Sequence, residues 1–213
     1  VARRQVPSSH WQSLDRTLKR SKSFVTAVSW TGTMFEYFMP VLFLRNVPGS
    51  FQYEALKVCL YMQKKRAARE NIPYGISESG FFSVDSALNY RYKAHGIKEL
   101  AAKRNADDES VISPYSTFLT LPFDRKCALK NLSRLSQMHL EGRCGFYEAV
   151  DFSEKRTDGE EYAVVRSYMS HHVGMSMIAA ANTLSENAFV RRFMMDVYMN
   201  SAKSLLEEKI PSH

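Results

Sequence analysis

The sequence predicts an all-α fold, or one nearly so, and three observations carry that expectation. Apolar residues recur at helical spacing along most of the chain. Helix-start signals are present: Ser113-Pro114 sets an N-cap serine before a first-position proline, and Asp124 precedes another periodic run. Alternating segments are few, since only Phe81 to Val84 and Ala163 to Val165 read as strands, and both are short.

Taken in order, Trp11, Leu14, Leu18 and Val25 sit close to three-and-four spacing and predict a first helix from Trp11 to about Phe24. Met34 to Leu44 is apolar at nearly every position, which predicts burial on most sides, with Pro40 placed to kink it. Pro48-Gly49 marks a turn. Gln52 to Asn71 is the clearest helix, with Leu56, Cys59, Leu60 and Gln63 on one face. Its basic run, Lys64-Lys65-Arg66-Ala67-Ala68-Arg69, reads as a solvated face near the C-terminal end, where the helix dipole favours cations. The periodicity lapses from Ile72 to Ser86. Helices follow from Ser113 and from Asp124 to Leu140, the latter turning Cys127, Leu129, Leu132, Leu135 and Met138 inward. A second lapse covers Glu141 to Glu161. Val165 to Leu184 reads as a helix rich in small residues, and Asn187 to Phe193 and Val197 to Glu208 complete the helical set. No internal repeat with a period of roughly 20 to 50 residues is present.

Composition narrows the function. The 213 residues suit one domain, residues 1–213, and the 45% apolar and 24% charged content excludes disordered, collagenous and low-complexity classes. No apolar run approaches the roughly 18 residues of a membrane-crossing helix. The 3 cysteines, Cys59, Cys127 and Cys144, are odd in number and widely spaced, which fits neither a disulfide framework nor a zinc site and favours a reducing compartment. A formal charge of +7 invites a nucleic-acid partner, but no nucleic-acid-binding module accompanies it.

The two lapses are where the chemistry gathers. In Pro73-Tyr74-Gly75-Ile76-Ser77-Glu78-Ser79-Gly80-Phe81-Phe82, a carboxyl stands among apolar and small residues, a setting that suits a general acid as well as a helix cap. Gly142-Arg143-Cys144-Gly145-Phe146-Tyr147-Glu148-Ala149-Val150-Asp151 has the same texture, with a pairing of Glu148 to Arg143 as the structural alternative. Chemistry at a glycosidic bond needs two carboxyl groups on opposite sides of one anomeric carbon, and aromatic side chains beside them suit the flat faces of sugar rings. In Arg166-Ser167-Tyr168-Met169-Ser170-His171-His172, adjacent helical histidines diverge by about 100°, so one metal can hardly take both. One of them is expected to bond sugar hydroxyls or a carboxylate. Asp107-Asp108-Glu109 lacks EF-hand spacing and reads as a cap or a sugar-hydroxyl contact. Glu36, set among Trp30, Phe35 and Tyr37, is a candidate substrate contact.

Five blocks in order, Ser29-Trp30-Thr31-Gly32-Thr33-Met34-Phe35-Glu36-Tyr37, Pro73-Tyr74-Gly75-Ile76-Ser77-Glu78-Ser79, Ser113-Pro114-Tyr115, Gly145-Phe146-Tyr147-Glu148-Ala149 and Val165-Arg166-Ser167-Tyr168-Met169-Ser170-His171-His172, resemble the glycoamylase-like domain of cyclic β-1,2-glucan synthases. They are similar, more loosely, to the related endo-β-1,2-glucanases. Three positions depart from the family pattern: Gly80-Phe81-Phe82 stands in place of Ala-Tyr-Asn, Val173 in place of Gln and Cys144 in place of Tyr. The resemblance implies an (α/α)6 barrel, of which this chain would be the C-terminal part, within a larger protein on the cytoplasmic side of the inner membrane. It implies a transglycosylase that cyclises β-1,2-glucan, with Glu78 as acid/base, Glu148 as nucleophile and no cofactor or metal. The alternatives are a hydrolytic endo-β-1,2-glucanase and a non-catalytic glucan-binding remnant. The expected substrate contacts are Trp30, Glu36, Tyr74, Phe82, Asp108, Tyr115, Arg143, Tyr147, Arg166, Tyr168, His171 and His172.

Overall fold

The computed structural model describes residues 1–20, 24–104 and 109–209. Helix α1 (Ser8–Gln12) is short, and the expected helix from Trp11 to Phe24 does not form. Instead β1 (Leu18–Arg20) pairs antiparallel with β2 (Val25–Ala27). Leu14, Leu18 and Val25 all remain exposed, so their helical spacing has no core to face. Helix α2 (Met34–Phe38) opens on a capping box and stops before a 3-10 turn, Pro40–Leu42, where the proline breaks the run.

Helix α3 (Phe51–Glu70) is the longest element. The Ser50 hydroxyl accepts from the Tyr53 N–H at its start, and Asn71 closes it in the left-handed conformation at φ 54°. Leu56, Cys59, Leu60 and Gln63 are buried, as their spacing predicts. The basic run is less solvated than expected. Lys64 pairs with Asp124 at 2.7 Å, and Arg66, its side chain only 9% exposed, pairs with Glu70 at 2.8 Å.

The first lapse folds as a hairpin of β3 (Glu78–Val84) and β4 (Tyr90–Ala94), in register Glu78↔Ala94 and Gly80↔Tyr92. Strand β5 (Val111–Ile112) leads into α4 (Pro114–Leu119) and α5 (Arg125–Gln137). On α5, Leu132 and Leu135 are buried as expected while Leu129 is half exposed. The second lapse holds β6 (Glu141–Gly142) paired with β7 (Gly145–Phe146), then β8 (Ala149–Asp151) and α6 (Glu154–Thr157). Strand β9 (Ala163–Val165) forms where the sequence reads one, its β-branched residues pairing with β8, so the expected helix from Val165 begins only at Ser170. Helices α7 (Ser170–Leu184), α8 (Ala188–Met194) and α9 (Val197–Ser201) follow, and a 3-10 turn, Lys203–Glu207, replaces the rest of the last helix.

The fold is therefore mixed rather than all-α. Helices supply the bulk, and a three-stranded antiparallel sheet ordered β5-β8-β9, with the β3-β4 hairpin against it, supplies a rigid floor. The two stretches read as strands fall within β3 and on β9, whereas β5 and β8, with two and three residues, are too short for alternation to register in sequence. The main core joins α2 to α5 through Phe38, Leu42, Leu56, Leu119 and Leu135. Each such fully buried side chain contributes about 1.5–3 kcal/mol.

Candidate active site

Glu148 lies between β7 and β8 and is fixed at both ends of its backbone. Its N–H donates to the Ser167 carbonyl at 2.9 Å, and its own carbonyl accepts the Ser113 hydroxyl at 2.6 Å. Ser113 occupies the N-cap position of α4 as expected, yet its side chain makes no cap bond and holds Glu148 instead. Only 4% of Glu148 is exposed. Its Oε1 accepts the Gly80 N–H at 3.0 Å, and its Oε2 lies 2.9 Å from His172 Nδ1. A buried carboxylate without partners is costly. Here a strand N–H and an imidazole meet that cost, and Arg143 takes no part in it.

Glycine permits the contact. A Cβ at Gly80 would stand 3.2 Å from Glu148 Cγ and 3.3 Å from Val165 Cγ1. Gly142 does the same for two aromatic rings: a Cβ there would come within 2.5 Å of Tyr147 Cζ. With no side chain in the way, Tyr147 and Tyr168 pack at 5.3 Å between centroids.

Glu78 begins β3 and is half-buried. It neither caps a helix nor sits in a wholly apolar setting. Its Oε1 accepts the Tyr92 hydroxyl at 3.1 Å, and its backbone carbonyl accepts the Tyr115 hydroxyl at 3.0 Å. Burial, then the Glu78 carboxylate, pushes the Tyr92 phenol far above its usual range, so Tyr92 is a donor at any working pH. Tyr115 also lies flat on His172, at 3.6 Å between ring centroids and 8° between planes. His172 Nε2 is 3.4 Å from the Tyr92 hydroxyl. His171, adjacent and exposed, has its pKa lowered by burial and by His172.

Glu148, His172, Tyr115, Tyr147 and Tyr168 line one cleft of about 240 Å³. Phe82 and Arg166 line a different one, of about 370 Å³, together with Arg156 and Tyr162. Five expected contacts line neither: His171, which sits beside His172, and Tyr74, Glu36, Trp30 and Arg143. Tyr74 is a core residue whose hydroxyl bonds Thr120 at 3.1 Å, and burial pushes its phenol up to about 12. Glu36 closes the α2 capping box, accepting from Ser29, Thr31 and Thr33. Burial works to raise its carboxyl, but the Ser29 hydroxyl and the threonine N–H groups outweigh that and leave it lowered. Trp30 beside it is 67% exposed, and Arg143 is exposed at the β6-β7 turn. Asp108 lies outside the described residues. Among those described, no three His, Cys, Asp or Glu side chains gather to hold a metal, and no helix is long and apolar enough to cross a membrane.

Two contributors escape the sequence reading. Tyr92 has a faint signal, the Tyr90–Tyr92 alternation after the Asn89 turn. The other is an ion network behind the hairpin, where Asp151 pairs with Arg156 at 2.6 Å, Arg156 with Glu109 at 2.7 Å and Glu109 with Lys93 at 2.8 Å. Arg156 and Lys93 both stand against the Phe81 ring, at 4.9 and 5.1 Å from its centroid.

Comparison with known proteins adds to this geometry. A family model described as "Putative glucoamylase" matches residues 2–197. The chain is 36% identical over 212 residues to the cyclic beta-(1,2)-glucan synthase NdvB of Rhizobium meliloti (strain 1021), covering 99% of this chain and 8% of that protein. Two solved structures share the fold. A protein from Bacteroides caccae, titled a putative glucoamylase, has a TM-score of 0.67 and 17% identity over 92% of this chain and 47% of its own. An endo-beta-1,2-glucanase from Chitinophaga pinensis, in complex with sophorotriose and glucose, has a TM-score of 0.65 and 15% identity over the same shares. The chain thus spans about half the length of these structures and a small part of NdvB.

Proposed function

The chain belongs to the family described as "Putative glucoamylase", and from that premise we propose that it is a glycoside hydrolase-type transglycosylase acting on β-1,2-glucan chains, as the cyclising part of a larger synthase. The observation that carries this reading is the setting of Glu148: a buried carboxylate that opens on an aromatic cleft and reaches Glu78 through His172 and Tyr92. Glu78 gives its proton to the departing glycosidic oxygen while Glu148 attacks the anomeric carbon. Glu78, now ionised, takes the proton from the chain's own non-reducing-end hydroxyl, which displaces Glu148 and closes the ring. The rings of Tyr147 and Tyr168 provide a platform for glucose residues. Transfer outruns hydrolysis only where the acceptor hydroxyl is held in line and water is kept out.

The same reading places the chain as one part of an (α/α)6 barrel, on the cytoplasmic side of a membrane-bound parent. Its support is the half-length match to the solved structures and the strong exposure of Met177, Leu184, Met195 and Val197 on α7 to α9, a surface that further barrel helices would cover. The test is incubation of the full-length protein with linear β-1,2-glucan, followed by product mass. Products lighter than linear glucan by one water are the expected result. Short linear products would make the protein an endo-β-1,2-glucanase, and intact glucan that still binds would make it a non-catalytic glucan-binding remnant.

A further inference from the structure

We propose that Tyr92 is a positioning residue that couples the two carboxyl groups, its single hydroxyl proton being shared between Glu78 and His172 so that the state of one glutamate is felt by the other. This rests on the reading of Glu78 and Glu148 as the reacting pair. The Tyr92 hydroxyl lies 3.1 Å from Glu78 Oε1 and 3.4 Å from His172 Nε2, and the other nitrogen of that ring lies 2.9 Å from Glu148 Oε2. The imidazole cannot turn away, because Tyr115 stacks on it at 3.6 Å and Tyr92 lies over it at 6.1 Å and 28°. The titratable groups at this junction are Glu78 of β3, Tyr92 of β4, Tyr115 of α4, His171 and His172 of α7, and Glu148 before β8.

One proton with two acceptors makes a direction switch. With Glu78 ionised, the hydroxyl points to Glu78, and His172 Nε2 loses that donor. With Glu78 protonated, the hydroxyl can turn to Nε2, and Nδ1–H then donates to the Glu148 carboxylate, so every donor along the path points toward Glu148. The two settings match the two halves of a double displacement. A protonated Glu78 beside an ionised Glu148 starts the first, and an ionised Glu78 beside a neutral, glycosylated Glu148 starts the second. No proton crosses between the glutamates; only the hydroxyl rotates.

The test compares the full-length wild-type protein with Tyr92→Phe on linear β-1,2-glucan, reading kcat and KM across pH together with the thermal midpoint. The phenyl ring keeps the packing and removes the donor to ionised Glu78. The expected result is an unchanged midpoint, a KM within about twofold and a kcat lower by about 10- to 100-fold. The basic limb of the kcat/KM profile moves up by roughly half a pH unit or more, as the loss of a donor to a carboxylate requires. Incorporation of 3-fluorotyrosine at position 92 keeps the ring and strengthens the donor, so it moves the same limb down and serves even if Tyr92→Phe folds poorly. A limb unmoved by either change, or a loss uniform across pH, overturns the coupling. Glu78→Gln in the same assay separates the two ideas. If it is inactive while Tyr92→Phe behaves as wild type, only the coupling fails; if it is fully active, the assignment of the pair fails with it.

Discussion

Glu148 and Asp151 stand three residues apart on the same stretch of chain, both are buried, and both accept an N–H from β3. Gly80 donates to Glu148 and Phe82 to Asp151, each at 3.0 Å. What differs is the remaining partner. Asp151 faces the Arg156 guanidinium, with a second arginine nitrogen at 3.0 Å and the Ser153 N–H at 2.9 Å, so its charge is neutralised in place. Burial acts to raise its carboxyl, but Arg156 and the N–H groups win and lower it. Glu148 faces an imidazole and an aromatic cleft instead. The same short stretch of chain thus holds a carboxylate neutralised against the hairpin and, just before β8, another that borders a cleft, the one the proposed function uses. A buried acid reads as structural when a guanidinium saturates it, and as reactive when its partners are few and a cavity adjoins it.

Substitutions can break this division. The largest effect is expected at Glu78→Gln, which on the proposed mechanism removes the proton donor and should lower turnover by about 10²- to 10⁴-fold with little change in thermal midpoint; activity near wild type would remove Glu78 from the pair. On the structural side, Arg156→Met leaves Asp151 buried without its counter-charge. It should cost about 3–5 kcal/mol, read as a shift in denaturant midpoint. A loss of turnover without that shift would assign Arg156 to the cleft.

Acid sharpens the same contrast. Arg156 hydrogen bonding, against some burial and with Lys93 assisting, holds the Glu109 carboxyl at about 2, below its ordinary 4.5. A carboxyl depressed by folding stabilises the protein fully above its unfolded value, and that stability is lost as pH falls from about 4.5 toward 2. Thermal midpoints should therefore drop through this window, and Glu109→Gln should flatten the drop. Gly80→Ala tests the close approach from the other side. Its Cβ would crowd Glu148 and Val165, costing roughly 1 kcal/mol and about tenfold in turnover through a displaced carboxylate. Smallest is Glu36→Gln, which weakens the α2 capping box by about 0.5–2 kcal/mol, measured by denaturation, and should leave KM for glucan unchanged.

The sequence made some of this legible and hid the rest for physical reasons. Helix α3 could be read because its 20 residues repeat the apolar face several times. Strand β9 (Ala163–Val165) could be read from its β-branched pair, but β5 to β8 could not, because two or three residues cannot show a period and their pairing is non-local. Both glutamates were visible as carboxyl groups out of place among glycines and aromatics. The partners that fix them were not: Tyr92 arrives from the opposite strand, and Ser113 looks like any N-cap until its hydroxyl is seen on the Glu148 carbonyl. Glu36 carried the same out-of-place texture and Tyr74 was expected from the resemblance, yet the capping box and the Tyr74–Thr120–Asn131 cluster absorb them. Local sequence shows that a polar group needs a partner, and only the fold shows whether protein or substrate supplies it.

The most direct test of the division is to measure turnover on linear β-1,2-glucan and thermal midpoint for Glu148→Gln and Asp151→Asn side by side in the full-length protein. The account predicts that Glu148→Gln loses turnover by at least about a hundredfold at a nearly unchanged midpoint, while Asp151→Asn lowers the midpoint and keeps turnover per folded molecule at low temperature. A Glu148→Gln protein that still turns over glucan at the wild-type rate, or an Asp151→Asn protein that is as stable as wild type but inactive, would contradict it.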